Sequence, residues 1–166
     1  MNPTQERIKE LYIYDESHKG LIHNSAKNSR GLKNGKAGHH HSRGYVHIGV
    51  DGKSFKEHIL VWIYFNGAKA DDMQIDHING IKWDNRISNL RQVSGFDNQK
   101  NRGKNKKNTS GYKGVHKNKN KWEVSIMANN IRHRLGHFDN PKEAALVYNE
   151  AAKKLHGAFA YQNEIK

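Results

Sequence analysis

Asp76 and His77 stand side by side in the run Met73-Gln74-Ile75-Asp76-His77-Ile78-Asn79-Gly80, and asparagines follow at positions 85, 89 and 98. A carboxylate is a hard oxygen donor suited to Mg²⁺, and an imidazole with an ordinary pKa near 6.5 takes a proton from water at neutral pH. One carboxylate, one amide oxygen, water and a substrate phosphate would complete a shell for a divalent ion. The spacing therefore outlines metal-assisted hydrolysis of a phosphate ester. Taken singly, each Asp or Asn could instead cap a turn through its own backbone. His58, at the start of an apolar stretch, reads as a structural histidine, and His39, His40 and His41 read as exposed polar residues of a Gly-, Lys-, Asn- and Ser-rich loop. The chain has no cysteine, so any metal must be held by His, Asp, Glu or Asn.

The elements that must position these groups are short. On a strand, Asp76 and His77 point to opposite sides. Ser94 can cap a short helix that brings Asn98 back toward the hairpin. Upstream, residues 11–14, 20–23 and 45–50 read as strands, Asp51-Gly52 as a hairpin turn, residues 54–57 as its second strand, and residues 59–66 as an apolar helix closed by Gly67. Residues 101–109 contain no apolar side chain and form a natural linker. Beyond it, strands are predicted at 112–115, 122–127 and 131–138, then a helix over 141–156 capped by Asp139 or Asn140, with Pro141 in its first turn and Gly157 at its end. The fold class is α+β: a strand-rich segment (1–57), a ββα metal module (58–101), a basic linker (102–109), and a separate three-stranded antiparallel sheet packed on one helix (110–166).

Of the 166 residues, 29 are Lys or Arg and 16 are Asp or Glu, a formal net charge of +13. Between Gln99 and His137 there are eleven basic side chains and a single acidic one, Glu123. Such a concentration points to a polyanion, and above all to nucleic acid; a merely solubilising surface is the plainer alternative. Anionic lipid fits less well, because no amphipathic helix accompanies the cluster. The longest apolar run, residues 59–65, has seven residues. That is far short of the roughly 20 a membrane-spanning helix needs, and Met1-Asn2-Pro3-Thr4 lacks the basic start of a signal peptide.

The pattern His58-x-x-Val61-Trp62, Asp76-His77-Ile78-Asn79-Gly80, Asp84-Asn85-Arg86, Asn89-Leu90-Arg91 and Asn98 resembles the HNH nucleases, in particular the phage and intron homing type in its His-Asn-Asn variant. The resemblance implies a β-hairpin followed by a helix clasping one divalent ion. By position, Asp76 and Asn98 would bind the metal, Mg²⁺ with Mn²⁺ as a possible substitute. His77 would be the general base, and Asn89 would brace the long loop and orient the histidine. Asn85 and Asn101 rival Asn98 as second ligand. Two departures stand out: Asn98 replaces the usual final His, and Ile59 replaces the Arg that often follows the equivalent of His58.

The C-terminal segment resembles the plant Apetala and ethylene-response-factor DNA-binding domain. The residues that carry this are Gly111-Tyr112-Lys113-Gly114-Val115, Lys121-Trp122, Leu135-Gly136-x-Phe138, Glu143-Ala144-Ala145, Tyr148, Ala151-Ala152, Leu155, Gly157, Ala160 and Asn163. In that family the sheet lies in the major groove. The resemblance puts Lys113, His116, Glu123, Ser125, Met127, Arg132 and Arg134 on the DNA face, with Trp122, Val124, Ile126 and Tyr148 holding the sheet on the helix. Lys104, Lys106 and Lys107 of the linker would contact phosphates. His116, Ser125 and Met127 replace plant-domain arginines, so the plant recognition sequence does not transfer.

Together these features predict a Mg²⁺-dependent DNA endonuclease of the homing type that nicks duplex DNA and leaves 5′-phosphate and 3′-hydroxyl ends, in the cytoplasm of a bacterial host or phage-infected cell. No membrane partner is expected, and monomer and dimer stay equally open. The alternative is a non-catalytic, sequence-specific DNA-binding regulator. An RNA-binding protein fits less well, for no aromatic stacking surface of the usual RNA modules is visible.

Overall fold

The computed structural model describes residues 2–24, 35–105 and 107–165. The chain forms two compact units, residues 1–95 and 96–166. The sequence suggests a divide after residue 101; the structure's units part before residue 96. The final residues of the helix at the boundary belong with the second unit, where the Lys113 ammonium donates to the Lys100 carbonyl at 2.8 Å and Asn101 is buried.

The first unit begins with a helix that the strand-like reading of residues 1–57 did not anticipate: α1 (Gln5–Leu11). Thr4 caps it, its hydroxyl accepting from the Arg7 N–H, and Glu6 lies in its first turn. An antiparallel hairpin follows, β1 (Tyr12–Asp15) and β2 (Gly20–His23). Next comes a three-stranded sheet of β3 (His39–His40), β4 (Val46–Val50) and β5 (Lys53–Lys56). Asp51 (φ 48°) and Gly52 (φ 77°) both sit in the left-handed region, as the expected two-residue turn demands. Residues 25–34 of the loop before β3 lie outside the described residues. His39 and His40, expected in that loop, are paired as a short strand against His47 and Val46.

Helix α2 (Glu57–Asn66) is apolar around most of its circumference, so it is buried rather than amphipathic, with Leu60, Val61 and Ile63 almost fully enclosed. Gly67 ends it at φ 74°, its N–H reaching the Ile63 carbonyl. The second hairpin, β6 (Met73–His77) and β7 (Leu90–Ser94), packs Ile75 and Leu90 into the same core as Ile8, Leu21, Ile48 and Leu60. A 3₁₀ turn, Ile87–Asn89, leads into β7, and α3 (Gly95–Asn101) follows it without a gap.

In the second unit, β8 (Val115–Asn118), β9 (Lys121–Ala128) and β10 (Ile131–Phe138) form an antiparallel sheet in the order β10-β9-β8. Val115, Val124 and Ile126 pack with Ala144, Ala145, Tyr148 and Ala152 of α4 (Pro141–His156). The helix has the predicted bounds, with Asn140 as its cap. The strand expected over 112–115 begins only at Val115. Ahead of it the backbone is drawn into a turn in which the Tyr112 carbonyl accepts from the Asn108 amide at 2.8 Å and the Ser110 hydroxyl at 3.0 Å.

Gly114 lets this turn approach the helix. Its φ is 77°, and a Cβ there would lie 2.1 Å from the Tyr148 ring and 2.8 Å from the Ser125 carbonyl. Gly114→Ala is therefore expected to destabilise the second unit by about 2–4 kcal/mol, from a strained φ and an overpacked core together. Chemical denaturation followed by circular dichroism measures this; an unchanged midpoint would remove the packing account. No described helix is long and apolar enough to cross a membrane.

Candidate active site

The site is built where β6 ends. His77 is its last residue and is 5% exposed. It lies on the inner side of the strand against α2, its ring edge-on to that of His58 with centroids 4.8 Å apart. Tyr45 closes the same pocket, 5.3 Å from His58 and 6.3 Å from His77. The His77 Nε2 lies 2.9 Å from the Asn85 Oδ1. Burial holds the His77 imidazole below its usual pKa, against the opposing pull of the Asn85 bond and the Asp76 charge. Its charged form is thus disfavoured by the enclosure.

Asp76 projects to the other side and is engaged by Arg91, its register partner on β7: Oδ2 accepts from Nε at 3.1 Å and from a terminal guanidinium nitrogen at 2.9 Å. The guanidinium holds the carboxylate in place and tempers its charge. The long loop at 78–88 is tied by side-chain amides. Asn89 Oδ1 accepts from the Asn79 N–H at 3.1 Å, and Asn89 Nδ2 donates to Asn79 Oδ1 at 3.0 Å and to the Asp84 carbonyl at 2.8 Å. Asp84, buried, accepts from Asn79 and from Arg86, and these bonds, the Arg86 bond foremost, bring its pKa down to about 2. The Asn89 side chain is therefore bonded to the loop, and it is Asn85 whose side-chain amide lies within hydrogen-bond distance of the His77 ring. Asn98 lies half-buried on α3, within the second unit, as does the buried Asn101. Asn85 is committed through both ends of its amide, to His77 and to Glu57, which argues against it as a metal ligand.

Glu57, Arg91 and Tyr45 were not singled out from sequence. A lone acid opening an apolar helix was the available signal for Glu57; burial pushes its carboxyl upward while bonds from Leu21 and Asn85 oppose the shift. His58 is packed as a structural histidine would be. Its Nδ1 has no hydrogen-bond partner among the described residues, and burial, with help from His77, Lys56 and His47, lowers its pKa to about 3. Unfolded, it would titrate near 6.5, so between those values only the unfolded chain takes up the proton and stability rises with pH. Acidification from about pH 6.5 toward 3 is expected to cost a few kcal/mol through this residue. Urea midpoints across that range, compared with His58→Phe, measure the effect; an equally steep pH slope in the variant would assign it elsewhere.

No cluster of three His, Asp, Glu or Cys side chains able to hold an ion occurs among the described residues. The donors at hand are hard oxygens, the Asp76 carboxylate and the asparagine amides, and their chemistry suits Mg²⁺ or Mn²⁺ rather than a soft metal.

In the second unit, the register pairs His116 with Glu123, Ser125 with Arg134 and Met127 with Arg132, so all six lie on the sheet face opposite α4. Glu123 accepts from Asn118 at 2.9 Å and lies 4.0 Å from Arg134 and 3.9 Å from His137. Lys113 is less open than expected. Its ammonium is turned onto the Lys100 carbonyl and the Tyr161 ring, and burial lowers its pKa to about 8. Lys104 donates to the Gly111 carbonyl, Lys107 is exposed, and Lys106 lies outside the described residues.

A family model described as HNH endonuclease matches residues 55–100, the stretch that carries α2, β6, the tied loop and β7. An uncharacterized HNH endonuclease of Acanthamoeba polyphaga mimivirus is 32% identical over 115 residues, 69% of this chain and 59% of that protein, so the match spans less than two thirds of the viral relative. Protein 3.8 of Escherichia phage T7 is 33% identical over 110 residues, 65% of this chain and 90% of its own length. No solved structure matches the chain. Since the family match falls on the residues that build the site, residues 55–100 carry an HNH endonuclease domain, and the chain is related to the phage protein over nine tenths of that protein's length.

Proposed function

We propose that the protein is a divalent-metal-dependent DNA endonuclease of the homing type that nicks duplex DNA, with His77 as general base. The observation that carries this reading is a buried imidazole held at 2.9 Å by Asn85, beside Asp76 on a strand whose loop is tied by Asn89. His77 takes a proton from water as the water oxygen bonds to phosphorus. The phosphorus–O3′ bond breaks, its electron pair leaves with O3′, and solvent protonates that oxygen. The products are a 5′-phosphate and a 3′-hydroxyl. Asp76 is the residue of the first unit that would hold Mg²⁺, which when bound would supply positive charge to the phosphate; Asn98 is named as second ligand by its motif position alone. Arg91 keeps the Asp76 carboxylate oriented.

The second unit would hold the duplex through the face bearing Arg132 and Arg134, as the Apetala-type resemblance implies. The phage and giant-virus relatives favour action on DNA inside a host cell. One site per chain favours a nick over a double break. Incubating the full chain with supercoiled DNA carrying the sequence that flanks its own gene, with Mg²⁺ or Mn²⁺ and with or without EDTA, tests the reading. Conversion to open circles with ligatable 5′-phosphate ends, abolished by EDTA, is expected. Tight binding without any cut would leave a DNA-binding regulator instead.

A further inference from the structure

Glu57 opens α2 fully buried, with a carboxyl that the reaction as drawn leaves unused. Its Oε1 accepts from the Leu21 N–H at 2.7 Å, and its Oε2 accepts from the Asn85 Nδ2 at 2.5 Å. Gly20 leaves room for this carboxyl: a Cβ there would sit 2.2 Å from Oε1 and 2.7 Å from Cδ. The Asn85 N–H in turn donates to the Lys19 carbonyl at 3.1 Å, so the β1–β2 hairpin holds both residues.

The polarity of this chain of bonds has one consistent sense. A carboxylate only accepts, so the NH₂ end of Asn85 must face Glu57 and its carbonyl end must face His77. A carbonyl also only accepts, so the His77 Nε2 must carry the proton, and the basic lone pair is placed on Nδ1.

We propose that Glu57 and Asn85 are positioning residues that fix the tautomer of His77, and that the β1–β2 hairpin is part of the active site through Gly20 and Leu21. The proposal rests on His77 being the general base, but its test does not. The glutamine of Glu57→Gln keeps its carbonyl on the Leu21 N–H and turns its NH₂ toward Asn85. The Asn85 amide must then reverse, its own NH₂ faces Nε2, and the His77 proton moves to Nδ1. Asn85→Asp, whose carboxyl must share one proton with that of Glu57, keeps an acceptor opposite Nε2 and leaves the tautomer unchanged.

Nitrogen-15 spectra of the metal-free full chain at about pH 8, where an unperturbed imidazole is neutral, distinguish the tautomers, with His77→Ala identifying the signal. The expected result is Nε2–H in the wild type and in Asn85→Asp, and Nδ1–H in Glu57→Gln, which should also nick roughly 10²–10⁴ times more slowly while binding DNA normally. An Nδ1–H wild type, loss of Nε2–H in Asn85→Asp, or an unmoved tautomer in a folded Glu57→Gln overturns the proposal. Should Glu57→Gln not fold, the other two spectra still decide. A chain that never nicks but inverts its tautomer in Glu57→Gln keeps the relay and refutes the nuclease reading; a nicking chain with an unmoved tautomer does the reverse.

Discussion

His77→Ala is expected to slow DNA cleavage by about 10²–10⁴, the range a positioned general base contributes, while duplex affinity stays unchanged. The imidazole is almost completely enclosed, so it adds little to any DNA-contacting surface, whereas its loss removes the proposed acceptor of the water proton. His58, its neighbour, cannot take over, because it is buried with a pKa near 3. Gel assays of nicking and fluorescence anisotropy of binding separate the two effects. Wild-type cleavage in the variant would move the base to another residue.

The second large effect is on affinity. Among the described residues, eight of the basic side chains between residues 99 and 137 are exposed: Arg102, Lys104, Lys107, Lys117, Lys119, Lys121, Arg132 and Arg134. Lys100 is paired with Asp97 at 2.7 Å, and Lys113 is turned inward, so neither is counted. Neutralising roughly six to ten phosphates predicts a loss of about 10³–10⁵ in affinity between about 50 and 200 mM salt. Titration of a labelled duplex at several salt concentrations measures the slope. A flat response would mean that this surface does not hold DNA.

The parts of the fold that were legible in the sequence are those specified locally. Helix α4 carries its cap, its proline, its apolar stripe and its closing glycine within 18 residues, and the structure reproduces its bounds. Helix α1 offered only Ile8 and Leu11 as apolar positions over seven residues, too few to show a period, and its stability comes from Ile8 packing into the core. The strand misplaced at Tyr112 has strand-like side chains, but Asn108 and Ser110 capture its backbone. The site divides in the same way. Asp76, His77 and Asn89 stood out because the motif that carries the resemblance places them at fixed spacings along one hairpin. The bond between Glu57 and Asn85 joins residues 28 positions apart, and the Leu21 bond to Glu57 spans 36. Neither leaves a local trace, since both exist only after the core has closed.

The Leu21 amide lies far upstream of the stretch matched by the family, residues 55–100. A fragment trimmed to those limits would keep every residue named in the motif and forfeit the donor that steadies the glutamate, along with Ile8, Leu21 and Ile48 of the core. The family-model match and the bonded core around the glutamate thus have different borders, and a fragment meant to keep the site must be cut by the latter.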